Sequence, residues 1–275
     1  MTDNLDFPAI GTRLPGMMDF VSVLARDYRS GDIDSAASLE ERVRSFFSPD
    51  ALAQVESVAP PWRDMASHDG GATLVHVMAV FASLFLCPEF RQASLSRQEL
   101  MKWIVFFHDI AKTPREGQRD FTHGFRSAAV TARLLPGMGF AVTPEYENHI
   151  EDWARLVGTA VTEQPGTLIR IQDNRRLPDI AGGIGRLFGY AAPAALIVRT
   201  VLLHMSLDVV EDWPQAAPLT DNEIEKYLDF DLLPLLKIMM LVDNDGYALF
   251  DKPVKERYRR ETLEVFARIE SLLSV

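Results

Sequence analysis

Two long apolar segments, TLVHVMAVFASLFL (residues 73–86) and RQELMKWIVFFHDI (97–110), constrain the architecture most. Runs of this length and apolarity read as central helices. Helical spacing recurs on either side of them. Met17, Phe20, Val21 and Leu24 share one face, and Gly31 supplies a stop signal. Near the end of the sequence Leu263, Phe266, Ile269 and Leu273 outline an amphipathic packing helix. β-Branched residues alternating with polar ones are scarce. The expectation is an all-α protein with no sheet of three or more strands.

Local signals divide the helices. Ser38 followed by Glu41 has the spacing of a capping box, and Ser48–Pro49 that of an N-cap and first helical residue. Thr220 or Asp221 caps a helix beginning at Asn222. Glycine and proline gather in residues 161–193, predicting a long connection or insertion at about 162–195. Its Gly183, Gly185 and Gly189 do not read as a nucleotide loop, because no strand precedes them and no GK[ST] follows.

A length of 275 residues, 47% hydrophobic, suffices for one large α domain or two smaller ones. The net charge of −11 disfavours a dedicated nucleic-acid surface but leaves room for a local basic pocket. The basic cluster from Lys252 to Arg260 reads as a solvated face. One cysteine, Cys87, excludes an intrachain disulfide and reads as a small buried hydrophobe in a reducing compartment. The sequence MTDNLDFPAI lacks the marks of a signal peptide, and no uninterrupted apolar run suggests a membrane span. The expected setting is cytoplasmic, with no membrane partner.

Chemistry enters through histidine and aspartate. His76, His108 and His204 lie in apolar helical contexts or at helix ends; Asp109 adjoins one, and Asp243 closes another apolar run, LLPLLKIMMLVDND. A lone histidine on an apolar face is usually a core residue. A buried carboxylate, however, needs a cationic or metal partner. Imidazole with carboxylate suits Fe, Mn, Co, Ni or Zn better than Ca. Asp243-Asn244-Asp245-Gly246 has the wrong glycine spacing for a calcium loop. His68–Asp69, before Gly70 and Gly71, reads as a helix-leading loop able to line a pocket, and His149 reads as exposed.

His76, the His108–Asp109 doublet and a distant Asp243 resemble the H…HD…D signature of the HD superfamily of metal-dependent phosphohydrolases. The segments TLVHVMAV, HDIAK, FTHGFRSAA and LLPLLKIMMLVDND follow the order found in the HD region of bacterial tRNA nucleotidyltransferases. The resemblance covers roughly residues 64–250. It implies an HD-type helical bundle over 64–250, an N-terminal helical extension over 1–63 and a C-terminal packing helix over 251–275. The first 60 or so residues are too few and too helical to supply a nucleotidyltransferase domain, so CCA addition is not expected.

Residue by residue, the resemblance implies a primary metal site of His76, His108, Asp109 and Asp243. Asp109 would bridge to a second ion completed by His123 and His204; the family's usual later histidine is replaced here by RLVGTAV. Lys112 would face the substrate phosphate, with Arg115, Arg119 and Arg126 flanking it as a clamp. The cofactor would be one or two divalent ions, Mg included, and the substrate a phosphomonoester or phosphodiester resembling a nucleotide. Asp109 would orient or deprotonate the attacking water. Two other readings compete: a non-catalytic module that binds a nucleotide or a protein, and a metal-free hydrogen-bonded network.

Overall fold

A computed structural model describes residues 5–113, 120–163, 170–212, 214, 215 and 217–274. Helices make up most of it. They are α1 (Ile10–Arg13), α2 (Pro15–Ser30), α3 (Ala36–Phe46), α4 (Pro49–Val58), α5 (Trp62–Ser67), α6 (Ala72–Leu86), α7 (Pro88–Gln92) and α8 (Leu95–Phe107). After the doublet come α9 (His123–Leu134), α10 (Tyr146–Thr159), α11 (Leu177–Phe188), α12 (Pro193–Leu203), α13 (Asp221–Tyr227), α14 (Leu232–Tyr247) and α15 (Lys252–Leu273). Among the described residues the only sheet is an antiparallel pair, β1 (Val161–Glu163) with β2 (Arg170–Gln172), in which Val161 faces Gln172. The protein is all-α.

Helices α6 and α8 are buried almost all round, as their apolar sequences require. Trp103, Phe106 and Phe107 of α8 are wholly enclosed, each contributing about 1.5–3 kcal/mol of transfer free energy. Trp62 stacks on Phe106 at 5.0 Å and donates its indole N–H to the Phe106 carbonyl at 3.1 Å. The end of α8, where His108 follows, is therefore held by packing and by a hydrogen bond. Helix α14 packs against α6 and α15, while α9 packs against α12 and α10.

Two glycines allow close approaches beside candidate ligands. A β-carbon at Gly246 of α14 would stand 2.8 Å from Val80 Cγ2 and 3.2 Å from Val80 N on α6. One at Gly124 of α9 would stand 3.0 Å from the Leu202 and Val201 carbonyl oxygens of α12. Each glycine lies within three residues of a candidate ligand, Asp243 or His123. Two of the helices that carry candidate ligands, α14 and α9, thus lie close against α6 and α12.

Several local expectations change. Ser35, not Ser38, caps α3: its hydroxyl accepts from Ser38 N at 3.2 Å, while the Ser38 hydroxyl accepts from Ser35 N and does the work assigned to Glu41. The 162–195 region is not a plain connection. It contains α11, because Leu177, Ile180, Ile184 and Leu187 keep helical spacing through the glycines, and Gly183 lets α11 lie against Trp153. On α15 the buried face is Tyr258, Thr262, Phe266 and Ile269, with Leu263 only half-buried. The basic cluster there is not simply solvated: Arg257 pairs with Asp212, Arg259 with Glu89, and Lys255 reaches Asp245 at 3.8 Å.

The predictions made at Ser48–Pro49 and Gly31 hold, with Gly31 ending α2 at φ 86°, and Thr220 caps α13, which begins at Asp221, one residue before the expected start. Within Trp62–Leu86 an 18-residue window reaches a mean hydropathy of 1.5, so by length and composition alone the stretch is apolar enough to cross a membrane. It is not one straight helix. Asp69 (φ 51°), Gly70 and Gly71 are all left-handed and break it before α6, whose residues lie largely in the core.

Candidate metal centre

The doublet works because α8 ends just before it. His108 N still bonds to the Ile104 carbonyl at 2.9 Å, but Ile110 N turns back to Phe107 O and Lys112 N to Asp109 O. Adjacent side chains on a helix point about 100° apart. At the helix end, His108 and Asp109 nevertheless both reach the same buried space. The turn is tied to α9 where Ala111 N donates to Ser127 Oγ at 3.2 Å.

Two groups of three side chains result. His76, His108 and Asp243 form the first; Asp109, His123 and His204 form the second. Within each group the ligand atoms lie within 4.8 Å of one another. His76 Nε2 is 2.9 Å from Asp243 Oδ1, and His108 Nε2 is 3.8 Å from the same oxygen. Asp109 stands between the groups. Its Oδ1 lies 2.9 Å from His123 Nε2, and its Oδ2 lies 3.7 Å from His76 Nε2 and 3.6 Å from His108 Nε2. The six residues named from sequence as ligands all meet here.

Hydrogen bonds fix the faces of the imidazoles. His108 Nδ1 lies 2.7 Å from the Val105 carbonyl, His123 Nδ1 2.5 Å from the Asp120 carbonyl, and His204 Nδ1 2.7 Å from the Val201 carbonyl. A carbonyl only accepts, so each Nδ1 carries a proton and Nε2 is the ring atom turned toward the centre. His123 Nε2 and His204 Nε2 are 2.9 Å apart, so the two rings converge on one point. Among the described residues His108 Nε2 and Asp109 Oδ1 are buried without a hydrogen-bond partner, although His123 Nε2 stands 2.9 Å from that carboxylate oxygen. Unpaired buried acceptors cost about 1–3 kcal/mol each.

Charge points the same way. Burial works to raise Asp109, but Lys112, His108 and His123 outweigh it and hold the carboxyl well below the usual range. Burial likewise opposes Asp243, and its hydrogen bond to His76 pulls it low. Burial pushes His204 down to about 3, helped by His123 and His108, and pushes His108 down despite the two carboxylates. A buried and a half-buried carboxylate, Asp109 and Asp243, therefore face a set of imidazoles with one ammonium, Lys112, beside them. The surplus is negative and is made of N and O acceptors. A divalent cation fits that donor set, and the backbone carbonyls behind the rings supply the orientation that metal-bound histidines need.

The centre opens onto a cavity of about 310 Å³ lined by His76, His123, His204, Asp243, Lys112 and Tyr247, with Met205, Val209 and Met240 as apolar wall. Lys112 Nζ donates to Asp109 Oδ2 at 2.7 Å and to the Tyr247 hydroxyl at 2.9 Å. Burial works to lower its pKa, but Asp109, Tyr247 and Asp243 raise it overall, so the ammonium stays charged. Arg126 does not line this cavity. Its guanidinium pairs with Asp120 and bonds to Thr122 Oγ1 at 3.1 Å and Thr113 Oγ1 at 3.2 Å, bracing the backbone that orients His123. Arg115 and Arg119 lie outside the described residues.

Asp69 lines the cavity and His68 a neighbouring one, as a helix-leading loop can. His149 is exposed, 4.0 Å from Glu145, and far from this chemistry in character. Sequence reasoning missed Tyr247 and Asp120. Tyr247 had a usable signal, its place four residues after Asp243 on one helix face. No family model, curated protein or solved structure matches the chain.

Proposed function

We propose that the protein is a metal-dependent phosphohydrolase of HD type, acting on a small phosphoester of nucleotide-like size. One observation carries the proposal: three buried imidazoles, each with Nδ1 committed to a backbone carbonyl, turn Nε2 toward a buried and a half-buried carboxylate at the floor of a cavity. A purely structural core has no use for that arrangement, which leaves lone pairs and negative charge uncompensated.

His76, His108 and Asp243 would hold one ion, and Asp109, His123 and His204 a second, with Asp109 shared between them. Fe, Mn, Co, Ni or Zn suits these ligands, and Mg fits the carboxylates alone. Such ions polarise a phosphoryl oxygen and lower the pKa of a coordinated water. Asp109 Oδ1, buried and ionised, is the atom placed to orient that water or take its proton. Lys112 lies in reach of charge gathering on the phosphoryl oxygens. Met205, Val209 and Met240 keep bulk water away and leave the polar groups undiluted.

A cavity of about 310 Å³ lies at the small end of the range for small-molecule sites, which favours a mononucleotide-sized ligand over a polymer. The test has two parts. Elemental analysis of the purified full chain reads bound metal, and a panel of phosphomonoesters and phosphodiesters reads turnover. Metal with turnover is the expected pair. A protein that neither retains nor takes up metal would leave only the hydrogen-bonded network. Metal with tight ligand binding but no turnover would make it a binding module.

A further inference from the structure

A second cavity, of about 450 Å³, shares only Lys112 among its described lining residues with the cavity at the metal centre. Its walls come from α5, the turn at residues 110–113, α9 and α10. Helical spacing explains the lining. Arg126, Ala129, Val130 and Arg133 share one face of α9 at i, i+3, i+4 and i+7. Ala154, Val157 and Gly158 likewise share one face of α10. Small residues keep the space open, and a β-carbon at Gly158 would meet nothing within 4 Å. Met65, Ile110, Ala129, Ala154 and Val157 are buried, so the floor is apolar. We propose that this cavity is a second ligand site, separate from the metal centre, that takes a small organic anion with a flat apolar body.

The volume falls within the range of small-molecule sites, and charge at the rim selects the class of ligand. Arg133 grips Glu151 through Nε at 2.9 Å and Nη2 at 2.6 Å. A guanidinium has five N–H donors, so three remain, on a side chain 42% exposed. Two turns earlier on α9, Arg126 Nη2 and Arg170 Nη1 each donate to Thr113 Oγ1 at 3.2 Å. That contact brings the Arg170 guanidinium to the rim, where its nearest carboxylate among the described residues, on Glu163, is 3.8 Å away. Asp64 is the one carboxylate among the described lining residues. Arg126 stays paired with Asp120, so the anionic group belongs at Arg133, with Arg170 adding positive charge at the far end. At 1.5 Å per residue, Arg126 and Arg133 lie about 10 Å apart along α9, a span that a fused-ring body covers over the apolar floor.

The probe is anilinonaphthalene sulfonate, titrated by fluorescence into the full chain beside phenylnaphthylamine, the same ring system without the sulfonate. Gly158→Leu fills the cavity from α10, and Gly137→Leu places the same side chain on an exposed glycine outside it. We expect one equivalent of the sulfonate bound by the wild type and by Gly137→Leu, with affinity at least about tenfold weaker in Gly158→Leu. Arg133→Gln should weaken the sulfonate about two- to fivefold, the range for an exposed ion pair, and leave the uncharged probe unchanged. Melting curves and circular dichroism should match the wild type throughout, since leucine is a better helix former than glycine. Should Gly158→Leu melt early, the response of the two probes to Arg133→Gln still decides. A wild type that binds neither probe, or a folded Gly158→Leu that binds as tightly as the wild type, overturns the site. An equal response of both probes to Arg133→Gln overturns the anionic class. No arm uses metal or turnover, so failure here leaves the phosphoester reading standing.

Discussion

Gly246 meets Val80 so closely that a β-carbon on the glycine would lie 2.8 Å from Val80 Cγ2, and that contact sets how near α14 comes to α6. His76 is one turn before Val80, and Asp243 is three residues before Gly246. The 2.9 Å separation of His76 Nε2 from Asp243 Oδ1 follows from this backbone approach.

Gly246→Ala therefore acts on the metal centre without touching a ligand. Alanine gains about 1 kcal/mol in helix propensity, while overpacking against a valine and its backbone costs about 1–3 kcal/mol. The expected net loss is about 1 kcal/mol, read as a melting point lower by about 2–4 °C. Metal affinity falls with it, because His76 and Asp243 are pushed apart. A variant that melts at or above the wild type with a full complement of metal would disprove the link.

Metal removal should destabilise the fold. A ligand that binds only the native state at a hundred times its Kd stabilises by about 2.7 kcal/mol, and the buried carboxylates and lone pairs give the ion such preference. Chelation should lower the melting temperature by about 5–10 °C, with re-addition of the ion restoring it. His108→Ala should abolish most of that difference, whereas His149→Ala, at an exposed histidine, should leave it intact. Equal melting with and without chelator in the wild type would count against the whole assignment.

Cys87 should be inert. Its thiol is buried, and burial raises its pKa to about 11, with Glu89 also raising it while a backbone bond from Phe90 and Arg259 pull the other way. The thiolate is the reactive form, so at pH 8 almost none is present. A thiol reagent should label the native protein slowly at pH 8 and the denatured protein fast, with native labelling quickening only as the pH nears 11. Rapid native labelling at pH 7 would refute this.

The candidate ligand cluster was legible because polar residues in apolar helices stand out against their surroundings. His76 among Leu74, Val77 and Met78 is such a case, and so is Asp243 after Leu241 and Val242. Element types were legible for the same reason, since helical spacing survives even in α11, where glycine content suggested otherwise. What could not be read depends on distances between chain segments. The Nδ1 bonds that orient His108, His123 and His204 go to carbonyls, which every residue has and no side chain announces. Arg126 looked like a phosphate ligand by proximity in sequence, but Asp120 claims its guanidinium. Ser38 has the spacing of a cap before Glu41, but Ser35 caps α3, and only the backbone geometry shows it.

Asp109 and Lys112 touch at 2.7 Å, yet substituting each should do different things. Asp109 faces both ligand groups, so Asp109→Ala should lower metal content and abolish hydrolysis to background while leaving the helical signal largely in place. Lys112→Ala removes no ligand. With metal bound, its content should stay near wild type, and kcat/KM should fall about ten- to a hundredfold through a lost charge-assisted contact of about 1.5–3 kcal/mol. Without metal the same substitution strips Asp109 of its cationic partner, and removing one member of a buried pair costs about 3–5 kcal/mol. Lys112→Ala should therefore widen the gap in melting temperature between metal-loaded and metal-free protein, since the ion then has more uncompensated charge to satisfy. The measurement is a pair of melting curves for each variant, with and without chelator, set beside turnover on whichever phosphoester the panel identifies. Should Lys112→Ala lose metal while Asp109→Ala keeps both metal and activity, the roles of the two residues are the reverse of those argued from their geometry.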